Sequence, residues 1–199
     1  VTTVLFIIGA YFAGSIPWGY LLCRIIKKID IRQHGSGNIG ATNVYRIAGG
    51  PVASAVLVLD VLKGFLPVYI AKSLSMTSPQ VILTGIASVA GHSFSIFLKG
   101  KGGKGVSTGF GVVMALFPRP ALISLLVWAA VIASTHYVSA GAVAASIALP
   151  VFVYLFQRDL FLTCMGIFLC ALIIYTHRTN IIRLMTKKEN RTRLPWEGK

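Results

Sequence analysis

Lysine and glycine alone make up Lys99–Gly105, KGKGGKG. Glycine accepts φ > 0 and has no side chain to block an anion, so successive amides can converge on it. Lysine adds point charges suited to phosphate. Such a run makes a poor helix, and it is read as an anion-binding loop. It is not a nucleotide P-loop: in Gly100-x-x-x-x-Gly105 the next residue is Val106, where that motif requires lysine. Lys101 and Lys104 are the candidate charges, and Gly102, Gly103 and Gly105 the candidate amides. His92, upstream, is either a packing residue of an apolar helix or part of the same site.

A second glycine-rich stretch is His34–Arg46, HGSGNIGATNVYR. Gly35–Gly40 fits G-x-G-x-x-G, and Asp60 lies twenty residues further on, the spacing of a dinucleotide fingerprint. That reading needs a strand–turn–helix unit, and Asp60 instead sits in an apolar helix. The preferred reading is another anion loop. Ser36, Asn38, Thr42 and Asn43 offer hydrogen bonds, and Arg46 offers a two-pronged phosphate contact. The alternative is a turn that opens a helix at Ala41.

The third stretch is His177-Arg-Thr-Asn180-Ile-Ile-Arg183. On a helix these three named positions share a face. A cationic stop-transfer cluster accounts for Arg178, Arg183, Lys187 and Lys188, but not for His177 and Asn180. Asp60 and Lys63, three apart on an apolar helix, are an ion pair that marks either an interior cavity or a structural bridge. No metal is expected: Cys23, Cys164 and Cys170 all lie in apolar segments, with no CxxC and no zinc-like histidine spacing, and are read as inert buried thiols.

The elements that carry these loops are apolar. Of 199 residues, 55% are hydrophobic and 12% charged, with mean hydropathy +0.77. Apolar runs fall at about 3–23, 52–71, 80–98, 106–117, 119–135, 138–156 and 160–176, and a bilayer core takes ~20 helical residues. The expected fold is an all-α integral membrane protein, a polytopic bundle of about seven transmembrane helices in one domain, 1–199. The run at 106–117 is short for a span. Small residues in the first run favour close helix packing, and Pro17 predicts a kink there. The first run is read as a membrane helix rather than a cleavable signal. Trp196 is read as an interfacial residue.

The net charge of +14 does not imply nucleic acid, because the charges lie between membrane-length runs. After the first, third and seventh runs come Arg24, Lys27, Lys28, Arg32, Arg46, Lys99, Lys101, Lys104, Arg178, Arg183, Lys187, Lys188, Arg191, Arg193 and Lys199. The other side has only Lys72, Arg119 and Arg158. The positive-inside rule then puts the N-terminus outside, the C-terminus in the cytoplasm, and all three motifs on the cytoplasmic face.

Together the three stretches resemble the motifs of the bacterial acyl-phosphate:glycerol-3-phosphate acyltransferases, the PlsY family. GSGNIGATNVYR (35–46) is similar to the first motif, GHSFSIFLKGKGGKGVST (91–108) to the second, and HRTNIIRL (177–184) with Glu189 to the third. The chain departs at Ser95, where proline is frequent, which predicts a looser way into the loop. It departs again at Lys187, where glycine is frequent. The resemblance implies a bacterial inner-membrane, multi-pass enzyme. Its reaction would be acyl transfer from acyl phosphate to the 1-hydroxyl of glycerol 3-phosphate, giving lysophosphatidic acid and phosphate. No metal or cofactor is implied, and an upstream soluble acyl-phosphate synthase and membrane lipid are the implied partners. Ser36, Arg46, Lys104, the Gly102–Gly105 amides and Asn180 would hold phosphate and developing negative charge, with Ser36, His177 and Asn180 at the chemistry. Glu189 is carried over as a structural residue. The rival class is a membrane transporter of a phosphorylated anion, but transport sites lie near mid-membrane and these motifs cluster on one face.

A general base is not evident. Many glycerol-lipid acyltransferases use a histidine with aspartate five positions on. Here the residues five after His34, His92, His136 and His177 are Ile39, Phe97, Gly141 and Ile182. The expectation is substrate-assisted catalysis, in which the acyl phosphate's own oxygen takes the proton.

Overall fold

The computed structural model describes residues 2–192; Trp196, read above as interfacial, lies outside them. The regular structure among the described residues is all helical, and they divide into two compact units, one running to Leu116 and the other starting at Phe117.

In the first unit, α1 (Thr2–Ser15) and α2 (Trp18–Ile26) are the halves of one apolar run. They meet at 41°. Pro17 causes the break: it has no N–H to give and its ring crowds the preceding turn. A 3-10 turn (Ile31–Gln33) leads to the short α3 (Ala41–Ala48), and Gly49, at φ 88°, ends α3 and opens α4 (Gly50–Ser73). Next come α5 (Ser78–Ser93), a 3-10 turn (Ile96–Leu98) and α6 (Val106–Leu116). A capping box from Thr77 and Gln80 fixes the start of α5.

Glycines let these helices touch backbone to backbone. A methyl on Gly14 or Gly91 would strike the Ser88 or Tyr11 carbonyl between α1 and α5. One on Gly64 or Gly111 would strike the Thr108 or Val61 carbonyl between α4 and α6. This packing accommodates α6, whose 11 residues rise only about 16 Å.

The second unit comprises α7 (Pro118–Thr135), α8 (Val138–Gln157), α9 (Leu160–Thr176) and α10 (Arg178–Met185). Asp159 accepts the Leu162 amide at 3.0 Å and caps α9. Between α9 and α10 the chain bends by 63°.

Among the described residues, four helical segments are long and apolar enough to cross a membrane, or six if each bent pair is one span; α6 is shorter. The six and the shorter α6 fall on the seven apolar runs of the sequence; Pro17 bends the first, and α6 alone is short of a bilayer core. Leu5, Leu126, Leu160 and Phe161 are exposed large apolar residues on these helices, as lipid-facing surfaces require. This is a multi-pass membrane protein. Of the cysteines, Cys23 is buried but Cys164 is exposed on α9, contrary to the expectation of burial.

Candidate active site

The first glycine-rich loop is built by one buried residue. Asn43, on the first turn of α3, accepts the Ser36 amide at 3.0 Å through Oδ1. Its Nδ2 donates to the carbonyls of His34 (3.0 Å) and Asn38 (2.8 Å). Asn38 Oδ1 accepts the Gly40 amide at 2.7 Å. Asn43, a candidate substrate ligand, has its whole amide committed to the loop, and Asn38 shapes it through Oδ1. The loop turns through Gly35 and Gly37, both at positive φ, where any other residue is strained. The product is an exposed Ser36, with an exposed Arg46 one turn of α3 beyond Asn43 and Thr42 half-buried. Beneath, Asp30 and Arg32 pair through the Asp30 carboxylate at 2.6 Å. The Arg32 hydrogen bond holds that carboxyl down at about 2.

The lysine–glycine loop is wound on the residues before it. The Gly102 amide donates to the Ser93 carbonyl at 3.1 Å, the Gly103 amide to His92 at 3.0 Å, and the Gly100 amide to Ser95 at 2.8 Å. Gly102 and Gly103 therefore spend their amides on loop shape, which corrects the expectation that they cradle an anion. Their lack of side chains is still needed: a methyl on Gly102 would strike the His92 carbonyl, and one on Gly103 the His92 imidazole. Gly105 is at φ 82° and hands the chain to α6. Lys104 is half-buried and Lys101 exposed.

The two loops share a foundation. Leu98, on the turn before the lysines, is buried in the same apolar cluster as Ile39 and Val44 from the first motif. Gly19 of α2 packs so closely under the first loop that a methyl there would overlap the Ile39 carbonyl. Ser95 sits at φ −58°, a value proline would also hold, and its hydroxyl donates to the Ser15 carbonyl at 2.6 Å. The way into the loop is thus tied down rather than loosened.

Beneath the second loop lies a buried charged group. Lys63 Nζ is 2.8 Å from Asp60 Oδ1 and donates to the Ile16 carbonyl at 2.7 Å, at the α1–α2 break. Asp60 Oδ1 is also 3.7 Å from His92 Nδ1. Sequence reasoning found the Asp60–Lys63 pair from its spacing, but nothing along the chain signals His92 as the third member.

The second unit holds the third motif. His177 is buried at the α9–α10 junction. Its Nδ1 lies 2.9 Å from the Ile173 carbonyl, which can only accept, so Nδ1 carries the proton. Asn180 Nδ2 donates to Glu189 Oε1 at 2.6 Å, as does the Ser139 hydroxyl at 2.9 Å. Arg183 Nε donates to Glu189 Oε2 at 2.9 Å. Burial pushes the Glu189 carboxyl up, but the hydrogen bonds from Asn180, Ser139 and Arg183 outweigh it and hold the pKa below the ordinary glutamate value. Arg183 is therefore engaged with Glu189, and Glu189 fixes which way the Asn180 amide faces. Ser139, fifty residues away in sequence, went unnoticed. Lys187 stands at φ 55°, which is the conformation glycine favours. Among the described residues no three His, Cys, Asp or Glu side chains are grouped as a metal site.

The family model described as glycerol-3-phosphate acyltransferase matches residues 4–187. The glycerol-3-phosphate acyltransferase of Geobacter sulfurreducens is 44% identical over 182 residues, 92% of this chain and 93% of that protein. Those of Aquifex aeolicus and Fusobacterium nucleatum are 44% and 40% identical over 186 residues. They cover 93% and 94% of this chain and 96% of each relative. A crystal structure of PlsY (YgiH), an integral membrane glycerol 3-phosphate acyltransferase in its glycerol 3-phosphate form, is similar with TM-score 0.92 and 42% identity. It covers 97% of this chain and 96% of that one. The lysophosphatidic acid form matches with TM-score 0.90.

Proposed function

This chain belongs to the glycerol-3-phosphate acyltransferase family, and from that premise we propose that it moves a fatty acyl group from an acyl phosphate to the 1-hydroxyl of glycerol 3-phosphate. The observation that carries the reading is the pair of glycine-shaped loops on one shared core, with Ser36 and Lys104 on the loops and Arg46 exposed on the α3 that follows the first. Both substrates bear phosphate and one bears a fatty chain, so basic loops over an apolar body suit both ends.

In the reaction the hydroxyl oxygen attacks the acyl carbonyl carbon. The resulting oxyanion collapses, the bond from that carbon to the phosphate oxygen breaks, and phosphate leaves. The hydroxyl proton passes to a phosphate oxygen of the acyl donor. Lys104 and Arg46 hold phosphate and offset the charge that develops, with Ser36 as a hydrogen-bond partner. His177 and Asn180 are the hydrogen-bonding groups of the third motif in this reading, with the Asn180 amide oriented by Glu189. Positioning and electrostatics supply most of the acceleration.

The charge distribution supports seven membrane crossings, an external N-terminus, and a reaction at the cytoplasmic face of the bacterial inner membrane, fed by a soluble acyl-phosphate synthase. Cysteines placed at Ser75 and Lys99 in a cysteine-free background then label from opposite sides; labelling from one side overturns the orientation.

The donor is tested with purified protein, acyl phosphate and glycerol 3-phosphate. Phosphate and 1-acyl product form in equal amounts only when both substrates are present. Equal transfer from acyl-CoA, or phosphate release without the acceptor, contradicts the reading.

A further inference from the structure

Asp60, Lys63 and His92 are all buried, and the mechanism above uses none of them. A buried ion pair is weak as a stabiliser, since apolar residues of similar volume often do as well. Its geometry is more informative than its energy. Lys63 holds the Ile16 carbonyl at the proline break (2.7 Å) and Asp60 (2.8 Å). Asp60 in turn faces His92 Nδ1 at 3.7 Å, too long for a good hydrogen bond but close for a charge beside a polar ring.

His92 is where the lysine–glycine loop is attached. Its carbonyl takes the Gly103 amide, the next carbonyl takes the Gly102 amide, and its ring lies so close to Gly103 that a methyl would run into Nε2. That contact sets the Gly103 backbone directly against the ring. The same segment is anchored to the end of α1 by Ser95 to Ser15 (2.6 Å) and by the Tyr11 hydroxyl to the Phe94 carbonyl (2.8 Å). The ring orientation is thus set by Asp60 on one side and read by Gly103 on the other, one residue before Lys104.

We propose that His92, held by the Asp60–Lys63 pair, is a positioning residue that sets the Lys104 loop for phosphate binding. The inference rests on the phosphate-loop reading of Lys104. In steady-state assays of purified protein, Lys104→Ala identifies the substrate whose KM depends on the loop. His92→Ala raises the KM of that same substrate by about tenfold while kcat moves by less than about twofold. Asp60→Asn acts in the same direction. His92→Asn, which keeps a short polar group facing Asp60, recovers part of the loss. Combining His92→Ala with Lys104→Ala gives no further rise, because one acts through the other. Melting temperatures in detergent report folding separately. An unchanged KM in folded His92→Ala and His92→Asn protein overturns the inference, as does a multiplied KM in the double variant. If only the His92 variants are silent, the Lys104 reading stands and the inference falls. If Lys104→Ala is silent for both substrates, the phosphate-loop reading falls and takes the inference with it.

Discussion

Asn43 accepts the backbone amide of Ser36 at 3.0 Å, so a buried side chain on α3 decides where an exposed hydroxyl stands. Its Nδ2 binds two further carbonyls of the loop. Asn43→Ala leaves those groups without partners and costs about 1–3 kcal/mol. Its melting temperature and activity fall together. Ser36→Ala lowers kcat/KM with an unchanged melting temperature. An Asn43→Ala protein that melts normally and works normally contradicts this division of labour.

Arg46, exposed on the short α3, and Lys104, in the lysine–glycine loop, both lie outside the long apolar helices, so their loss spares the fold. Each alanine variant loses a charge-assisted contact of about 1.5–3 kcal/mol, or roughly 10- to 100-fold in kcat/KM. Arg46→Lys recovers only part of the loss, because an ammonium cannot reproduce a two-pronged contact. Wild-type kinetics in both alanine variants, at normal expression, removes the phosphate clamp.

Glu189 gives a pH dependence with a definite sign. Its folded pKa lies below the ordinary 4.5, so the unfolded chain binds more protons in acid. The stabilisation from Asn180, Ser139 and Arg183 is complete above the ordinary value and is lost as pH falls through the depressed one. Melting temperature measured from pH 7 down to pH 3 declines more steeply in the wild type than in Glu189→Gln, and the two curves run parallel above pH 6. Parallel curves over the whole range contradict the assignment.

Much of this was legible along the chain because it is local. Glycine runs with interleaved polar residues identify loops, Pro17 identifies a break, and Asp60 and Lys63 meet because they are one helical turn apart. What was not legible depends on contacts between distant segments. His92 meets Asp60 only because α5 and α4 pack together. A search for aspartate at a fixed spacing after histidine cannot find that pair. Glu189 collects Ser139 from α8 and Asn180 and Arg183 from α10. The roles of Gly102 and Gly103 were misjudged for a related reason: glycine composition suggests amides turned toward a ligand, while packing against His92 decides where those amides point.

The central claim is that the protein positions two substrates and leaves the proton to the acyl phosphate. His177 is the rival acceptor, since its Nδ1 proton faces Ile173 and Nε2 is the nitrogen that would take a second one. Single-turnover acyl transfer at saturating glycerol 3-phosphate, across pH 6 to 9, separates the two. The account predicts that His177→Ala retains measurable chemistry, slowed by lost positioning and unresponsive to added imidazole. A variant that binds both substrates, loses essentially all chemistry and regains it with imidazole contradicts the account and makes His177 the base.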